Sequence, residues 1–348
     1  MTPDERHLKR INRYLIAING VYDDLVREIA LVVVRLKVGD KLFRFRDYGT
    51  ITKEVSRALK NYNDNLLSSI KTYTQYEWDY GNAKVSELLI ENLAKVKGKV
   101  SGTAYEAKLK EISTQSVNKS ALEAFQQRKS GKFTVSERVW NITKQAKENL
   151  EFAIDDALRE GMSAQDLARK IKGNLNNPDA LFRRVRDKHG NLQLSKNAKA
   201  FHPGQGVYRS AHKNAMRLAA NEINTAYRQA EQLRIQGNND VVGQKINLSP
   251  QHKVYDICDE LAGSYPKDFQ WSSWHVLCKC FRTMILKSPT ELITEINNGQ
   301  NLSPESSSNF VSGVPDNFTS WLSENRESLE KIKSKPYFLE ENKTQFTM

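Results

Sequence analysis

"TVSERVWNITKQAKENLEFAIDDALREG", residues 134–161, is the most regularly patterned stretch of this 348-residue chain. Thr134 and Glu137 form a capping box at its start, and Gly161 ends the pattern. Between them, apolar side chains recur every three or four residues: Val135, Val139, Ile142, Ala146, Leu150, Ile154 and Ala157. The stretch therefore predicts a long amphipathic helix that buries one face.

The region before this helix, residues 1–130, also reads as mostly helical. Apolar positions follow helical spacing over residues 15–33 and 55–70, and a third helical segment is predicted after Trp78. Residues 95–131 are rich in Lys, Ser, Gly and Thr, so we expect a loose connection that holds one short helix.

Two further helices are predicted after residue 161, with a long loop between them. Ser163 and Asp166 form a second capping pair at the start of a short helix. Residues 174–207 are Asn-rich and basic, which favours a loop. Helical spacing then returns over residues 210–237.

The pattern changes after this helix. Residues 240–249 and 280–286 predict short strands, because β-branched and aromatic residues alternate with polar ones. Residues 288–348 predict a linker followed by a helix near 318–332. The predicted fold class is mainly α, with long amphipathic helices and a small α+β C-terminal subdomain built on short strands and a Cys/His loop.

Charge and composition exclude some classes of protein. The longest apolar run, residues 29–36, is interrupted by Arg35 and is too short to span a membrane. The N-terminus lacks a signal-peptide pattern, and three cysteines do not suit a secreted disulfide framework. We therefore expect assembly in a cytoplasm and no membrane partner.

The formal net charge of +12 is concentrated in one segment. Between Arg169 and Lys199 there are nine Lys or Arg against two acids. Such a segment attracts polyanions, although a solvated, variable loop has the same composition. The candidate nucleic-acid-binding residues are Arg169, Lys170, Lys172, Arg183, Arg184, Arg186 and Lys188.

All three cysteines lie in "YDICDELAGSYPKDFQWSSWHVLCKC", residues 255–280, which also contains one of the six histidines. Zinc is typically held by four Cys and His ligands, and this part of the chain offers five: Cys258, His275, Cys278, Cys280 and His252. We predict zinc on Cys258, His275 and Cys280, with Cys278 or His252 as the fourth ligand. Two alternatives are ordinary core cysteines and a Cys258–His275 nucleophile pair. The spacings of zinc deaminases and zinc proteases are absent.

The residues of this loop resemble the C-terminal signature of phage head morphogenesis proteins of the Mu F type, also called minor capsid proteins. Cys258, Leu261 and Gly263 match its first half, and His275, Cys278 and Cys280 match its second half. The preceding helix is similar to the family's conserved helix at Glu222, Asn224, Ala226, Tyr227 and Arg228. The likeness covers most of the chain and is strongest over residues 135–286, in the manner of members from Bacteroidetes-type phages and prophages.

The resemblance implies a virion-assembly protein that acts at the portal vertex in procapsid assembly, DNA packaging or DNA delivery. It implies portal and coat or scaffold proteins and phage DNA as partners, a place inside the capsid, and no enzymatic activity. The regions would be a helical N-terminal part (1–130), a Mu F-like domain (131–287) with a Cys/His knuckle (252–280), and a tail (288–348). Alternatives are a metal-dependent nuclease or other nucleic-acid-modifying enzyme, and a nucleic-acid-binding protein that works outside a virion.

Overall fold

The structure is a computed structural model that describes residues 1–36, 43–114, 119–159, 162–174, 184–186, 188–194, 208, 210–332 and 335–342. It is mainly α, with a small α+β part in the C-terminal region, as the sequence predicts. None of the described helices combines the length and the apolar content needed to cross a membrane.

The first half of the chain is helical. Its helices are α1 (Pro3–Val33), α2 (Thr52–Ala94), α3 (Gly102–Thr114), α4 (Lys119–Gln127), α5 (Val135–Arg159) and α6 (Ala164–Asn174). The predicted capping boxes form at Thr134 and Ser163, whose hydroxyls accept from the amides of Glu137 and Asp166 at 3.3 and 3.2 Å. The expected end of α5 at Gly161 lies outside the described residues.

The second half alternates strands and helices. In order it contains β1 (Arg184–Arg186), β2 (Leu192–Leu194), α7 (Ala211–Gln236), β3 (Val241–Asn247), α8 (Ile257–Leu261), β4 (Gly263–Tyr265), β5 (Phe281–Leu286), α9 (Pro289–Asn298), α10 (Asp316–Lys331) and α11 (Tyr337–Glu341). β3 is the central strand of an antiparallel sheet with the order β4–β3–β5. The two predicted strands are therefore direct neighbours, with Lys245 opposite Thr283.

Several local predictions were wrong. The segments predicted before and after Trp78 are one helix, α2, and residues 95–131 hold α3 and α4 rather than one short helix. The predicted loop 174–207 contains the β1–β2 hairpin, and the predicted linker contains α9.

Gly81 has a packing role that explains why α2 continues through it. A Cβ at this position would collide with the backbone carbonyl oxygen of Tyr227 on α7 and would lie 3.2 Å from the Cβ of Ala230. Glycine in a helix interior usually lowers helix stability, but here it permits two helix backbones to approach closely. Spacing alone does not reveal this partner.

The chain divides into two compact units. We call residues 11–73 and 126–220 the basic unit, and residues 1–10, 74–125 and 221–348 the knuckle unit. These units follow spatial contacts rather than chain order, so the sequence-based division into 1–130, 131–287 and 288–348 stays a prediction.

Within the basic unit, parts of α1, α2, α5 and α7 pack against one another. Tyr22 of α1 meets Tyr62 of α2 edge to face, with ring centroids 5.7 Å apart. Asn149 of α5 accepts a hydrogen bond from the first amide of α7 at Ala211, at 2.8 Å. The interior is formed by the apolar stripe of α5, of which Val139, Ala146, Leu150 and Ile154 are fully buried.

Within the knuckle unit, the three-stranded sheet and the Cys/His loop share an aromatic core with the tail helices. Its buried members include all three cysteines together with Leu261, Tyr265, Phe269, Trp271, Trp274, Phe318, Leu329, Phe338 and Leu339. The C-terminal helices α10 and α11 are therefore part of the layer that surrounds the loop.

Candidate metal centre

The first half of the loop is fixed by the N-terminus of α8. Asp256 caps this helix, and its Oδ1 accepts from the amide of Cys258 at 2.7 Å. The carboxylate of Asp259 accepts in return from the amide of Asp256 at 2.8 Å. This reciprocal capping box holds the buried Cys258 at the first turn of the helix.

The second half is a tight turn from His275 to Cys278. The amide of Cys278 donates to the carbonyl of His275 at 3.2 Å, which closes the turn. Leu277 lies inside it with φ of 64° and is the one non-glycine residue with positive φ in the described part of the chain. A left-handed leucine costs about 1–2 kcal/mol, so the loop holds its shape against local strain.

The two halves bring the three sulfurs together and place His275 beside Cys258. The Sγ of Cys258 lies 3.7 Å from the Sγ of Cys278 and 3.1 Å from the Nε2 of His275. The sulfurs of Cys258, Cys278 and Cys280 all lie within 4.8 Å of one another. A tetrahedral ion with metal–sulfur bonds of about 2.3 Å requires sulfurs about 3.8 Å apart, so this spacing suits a metal ion.

The His275 ring is oriented for ligation. Its Nδ1 donates to the carbonyl oxygen of Val276 at 2.8 Å, which leaves the lone pair on Nε2, the nitrogen that faces Cys258. Metal-binding histidines typically donate their other ring N–H to a carbonyl or carboxylate in this way. We call Cys258, His275, Cys278 and Cys280 the inner cluster.

The thiols of the inner cluster have shifted pKa values, and the direction of the shift differs between them. Hydrogen bonds from the thiols of Cys258 and Cys280 hold the pKa of Cys278 well below its usual value. The hydrogen bond to Cys278, with burial, raises the pKa of Cys258 above its usual value. The three thiols therefore share their protons through one another, and a metal ion would replace those protons.

His252, the fifth predicted ligand, lies to one side of the inner cluster. Its Nε2 is 2.7 Å from the Oδ2 of Asp259, and this hydrogen bond raises the pKa of His252 above its usual value. His252 also forms a possible ligand group with Asp256 and Cys258, whose ligand atoms lie within 4.8 Å of one another. Of the two options for the fourth ligand, Cys278 is the one that completes the sulfur group.

Arg228 and Asn224 on α7 hold the backbone of the loop from behind. The buried guanidinium of Arg228 donates to the carbonyl oxygens of Ser272, Cys278 and Cys280. The side-chain amide of Asn224 donates to the Cys278 carbonyl at 3.0 Å. The spacing of Asn224 and Arg228 in the sequence gives them no role, and their contacts with the loop supply a structural one.

An aromatic shell encloses the thiols. Tyr265, Phe269, Trp271 and Trp274 are each at most 2% exposed. The contribution of Phe318 and Phe338 from α10 and α11 was missed, because nothing in the tail sequence indicates which surface it covers. The shell limits water access to the sulfurs.

The predicted nucleic-acid-binding residues lie on two elements of the basic unit. Arg169, Lys170 and Lys172 are on α6, where Arg169 pairs with Asp166 at 2.8 Å and Lys172 pairs with Asp23 at 2.6 Å. Arg184 and Arg186 lie on β1, and the exposed Lys188 follows in the hairpin turn. Arg183 lies outside the described residues.

The two units carry very different charge. The basic unit has 30 Lys and Arg against 16 Asp and Glu, a formal charge of +14, whereas the knuckle unit has 23 against 25, a formal charge of −2. A polyanion would therefore be attracted to the basic unit.

No family model, curated protein or solved structure matches this chain.

Proposed function

We propose that this chain is a phage minor head protein that acts during procapsid assembly, DNA packaging or DNA delivery at the portal vertex. One observation carries the proposal: the two motifs of the family resemblance are in direct contact. Asn224 and Arg228 of the helix motif donate to the carbonyl of Cys278 in the Cys/His motif at 3.0 and 2.9 Å. Because the two matched segments contact each other, together they support a relationship to the family more strongly than either segment does alone.

Particles from the host that carries this gene provide the test. Heads are purified after induction, treated with protease and analysed by mass spectrometry. We expect peptides of this chain in few copies per head, protected until the heads are opened. Absence from purified heads, or digestion without opening them, would contradict the proposal.

Within this role, we assign zinc to the inner cluster, with Cys258, His275, Cys278 and Cys280 as ligands. Three thiolates and one imidazole form a closed, four-coordinate donor set, which is typical of structural rather than catalytic zinc. Elemental analysis of protein purified without chelator should find zinc. A zinc content near zero in a folded protein would contradict the assignment.

The basic unit is proposed to contact phage DNA without sequence preference. Arginine forks suit phosphate oxygens, and several such contacts made together release counterions, so affinity should fall steeply with salt. Acids on a portal or coat protein would give the same salt dependence. Competition between unrelated duplexes separates the two cases, since duplexes that bind through phosphates should displace one another equally.

We propose no enzymatic activity for the chain. The alternative, a metal-dependent nuclease, would need an open metal position, and the inner cluster has four protein ligands for four positions. The assay is incubation with plasmid DNA, RNA and NAD under several divalent metals. Turnover that disappears in His275→Ala would favour the enzyme alternative.

A further inference from the structure

Cys258 belongs to two groups of potential metal ligands. One is the sulfur group with Cys278 and Cys280, and the other, which we call the outer group, consists of Cys258, His252 and Asp256. In each group the ligand atoms lie within 4.8 Å of one another. The sulfur of Cys258 thus belongs to both groups of potential ligands.

Asp256 lies between the two donor sets, with its Oδ1 3.9 Å from the Nε2 of His252. The Oδ2 of Asp256 lies 3.4 Å from the Nε2 of His275, whose own proton is on Nδ1 because Nδ1 donates to Val276. The Oδ1 of Asp256 already accepts from the amide of Cys258, which fixes the carboxylate in this orientation. Once an inner ion has displaced the proton of Cys258, the Asp256 carboxylate and the shared thiolate would together attract a second cation.

His252 is held at the same edge by a carboxylate. Its ring lies 2.7 Å from Asp259, in the type of acid–imidazole contact that orients metal-binding histidines. The His252 and Asp256 side chains are 16% and 38% exposed, so an ion could enter from solvent without opening the aromatic core. The inner cysteines, by contrast, are buried.

We propose that a second divalent metal ion binds at the outer group, held by His252 and Asp256 and bridged to the inner ion by the thiolate of Cys258. Charge balance favours this arrangement. One divalent ion with three thiolates carries a net charge of −1, and Asp256 lowers the local total to −2, which a second divalent ion neutralises. Thiolate and imidazole donors suit zinc.

This inference rests on the zinc site proposed for the inner cluster, and metal counting separates the two. Full-length protein is saturated with zinc, passed through a metal-free sizing column and analysed for zinc per chain. We expect two ions in the native chain and one in Asp256→Asn, since asparagine still caps α8 but binds zinc poorly. The matched control Glu260→Gln, one helix turn away, should keep two.

Substitution of cobalt for zinc gives a second measurement, which does not depend on counting zinc ions per chain. The thiolate-to-cobalt absorption of the inner cluster should persist in Asp256→Asn and in His252→Gln, which shows that both variants fold. One zinc per native chain with that absorption intact would overturn the outer site and leave the inner assignment standing. Two ions retained in Asp256→Asn would also overturn it, and no zinc at all would contradict both proposals.

Discussion

The knuckle unit and the basic unit use their cations in opposite ways. In the knuckle unit, buried cations form ion pairs with acids of the same unit: Lys84 lies 2.7 Å from Asp4 and 2.6 Å from Glu231, and Lys287 lies 2.6 Å from Glu295. In the basic unit, Arg186 and Lys188 are exposed on a hairpin. The buried cations of the first unit stabilise the fold, whereas Arg186 and Lys188 face solvent, where a polyanion can reach them.

The interiors differ as well. The basic unit is held by the helical apolar stripe of α5, which is visible in the sequence, whereas the knuckle unit contains a strained turn and a cluster of thiols. We therefore expect the knuckle unit to depend on individual residues and on metal, and the basic unit to tolerate the same treatments.

The largest expected effect is that of metal removal. An ion present at a thousand times its Kd contributes about 4 kcal/mol to stability, and chelation should remove this contribution from the knuckle unit. Amide hydrogen exchange should show faster exchange in β3 and β5 after chelation, with α5 of the basic unit unchanged. Equal acceleration in both units would contradict the expected contrast.

Arg228→Lys should have the next largest effect. One ammonium group cannot reach all three carbonyls that the buried guanidinium binds, and each orphaned acceptor costs about 1–3 kcal/mol. We expect a loss of about 3 kcal/mol in the free energy of unfolding, together with weaker zinc binding. Arg326→Lys, at an exposed arginine, is the matched control and should change little; equal effects would refute the role of Arg228.

Glu151 should give the basic unit a weak pH dependence. Burial raises the pKa of Glu151 above its usual value, although its Oε1 accepts from the amide of Phe45 at 2.9 Å. A raised carboxyl pKa contributes stability below the unfolded pKa that is lost as pH rises through the folded pKa. Urea unfolding from pH 4 to 8 should show a smaller decline for Glu151→Gln; an unchanged decline would contradict this role.

Glu291 should give the knuckle unit a dependence of opposite sign. Despite partial desolvation, which raises it, the pKa of Glu291 is lowered to about 2 by hydrogen bonds from the amides of Ser308 and Ser288. This stability is present above the unfolded pKa and is lost as pH falls toward 2. Glu291→Gln should lower stability at pH 7, with the difference shrinking in acid, and a constant difference would exclude the ionised carboxylate as its source.

The difference between the units also explains what the sequence could predict. The stripe and capping box of α5 are local signals, and the fold class followed from them. The ligand residues were visible as a cluster, but their geometry depends on the capping role of Asp256 and on the strained turn at Leu277. Arg228 reaches Cys278 across 50 residues of chain, and Phe318 and Phe338 come from the tail helices, so spacing could not assign them to the site.

The central claim is that the basic unit, and not the knuckle unit, contacts DNA. The direct test compares DNA binding of the native chain with two charge-matched variants at the same ionic strength. One carries Arg186→Glu and Lys188→Glu, and the other carries Lys253→Glu and Lys279→Glu at exposed lysines of the knuckle unit. We predict weaker binding and a shallower salt dependence for the first variant and near-native binding for the second. Equal loss in both variants, or none in the first, would contradict the claim.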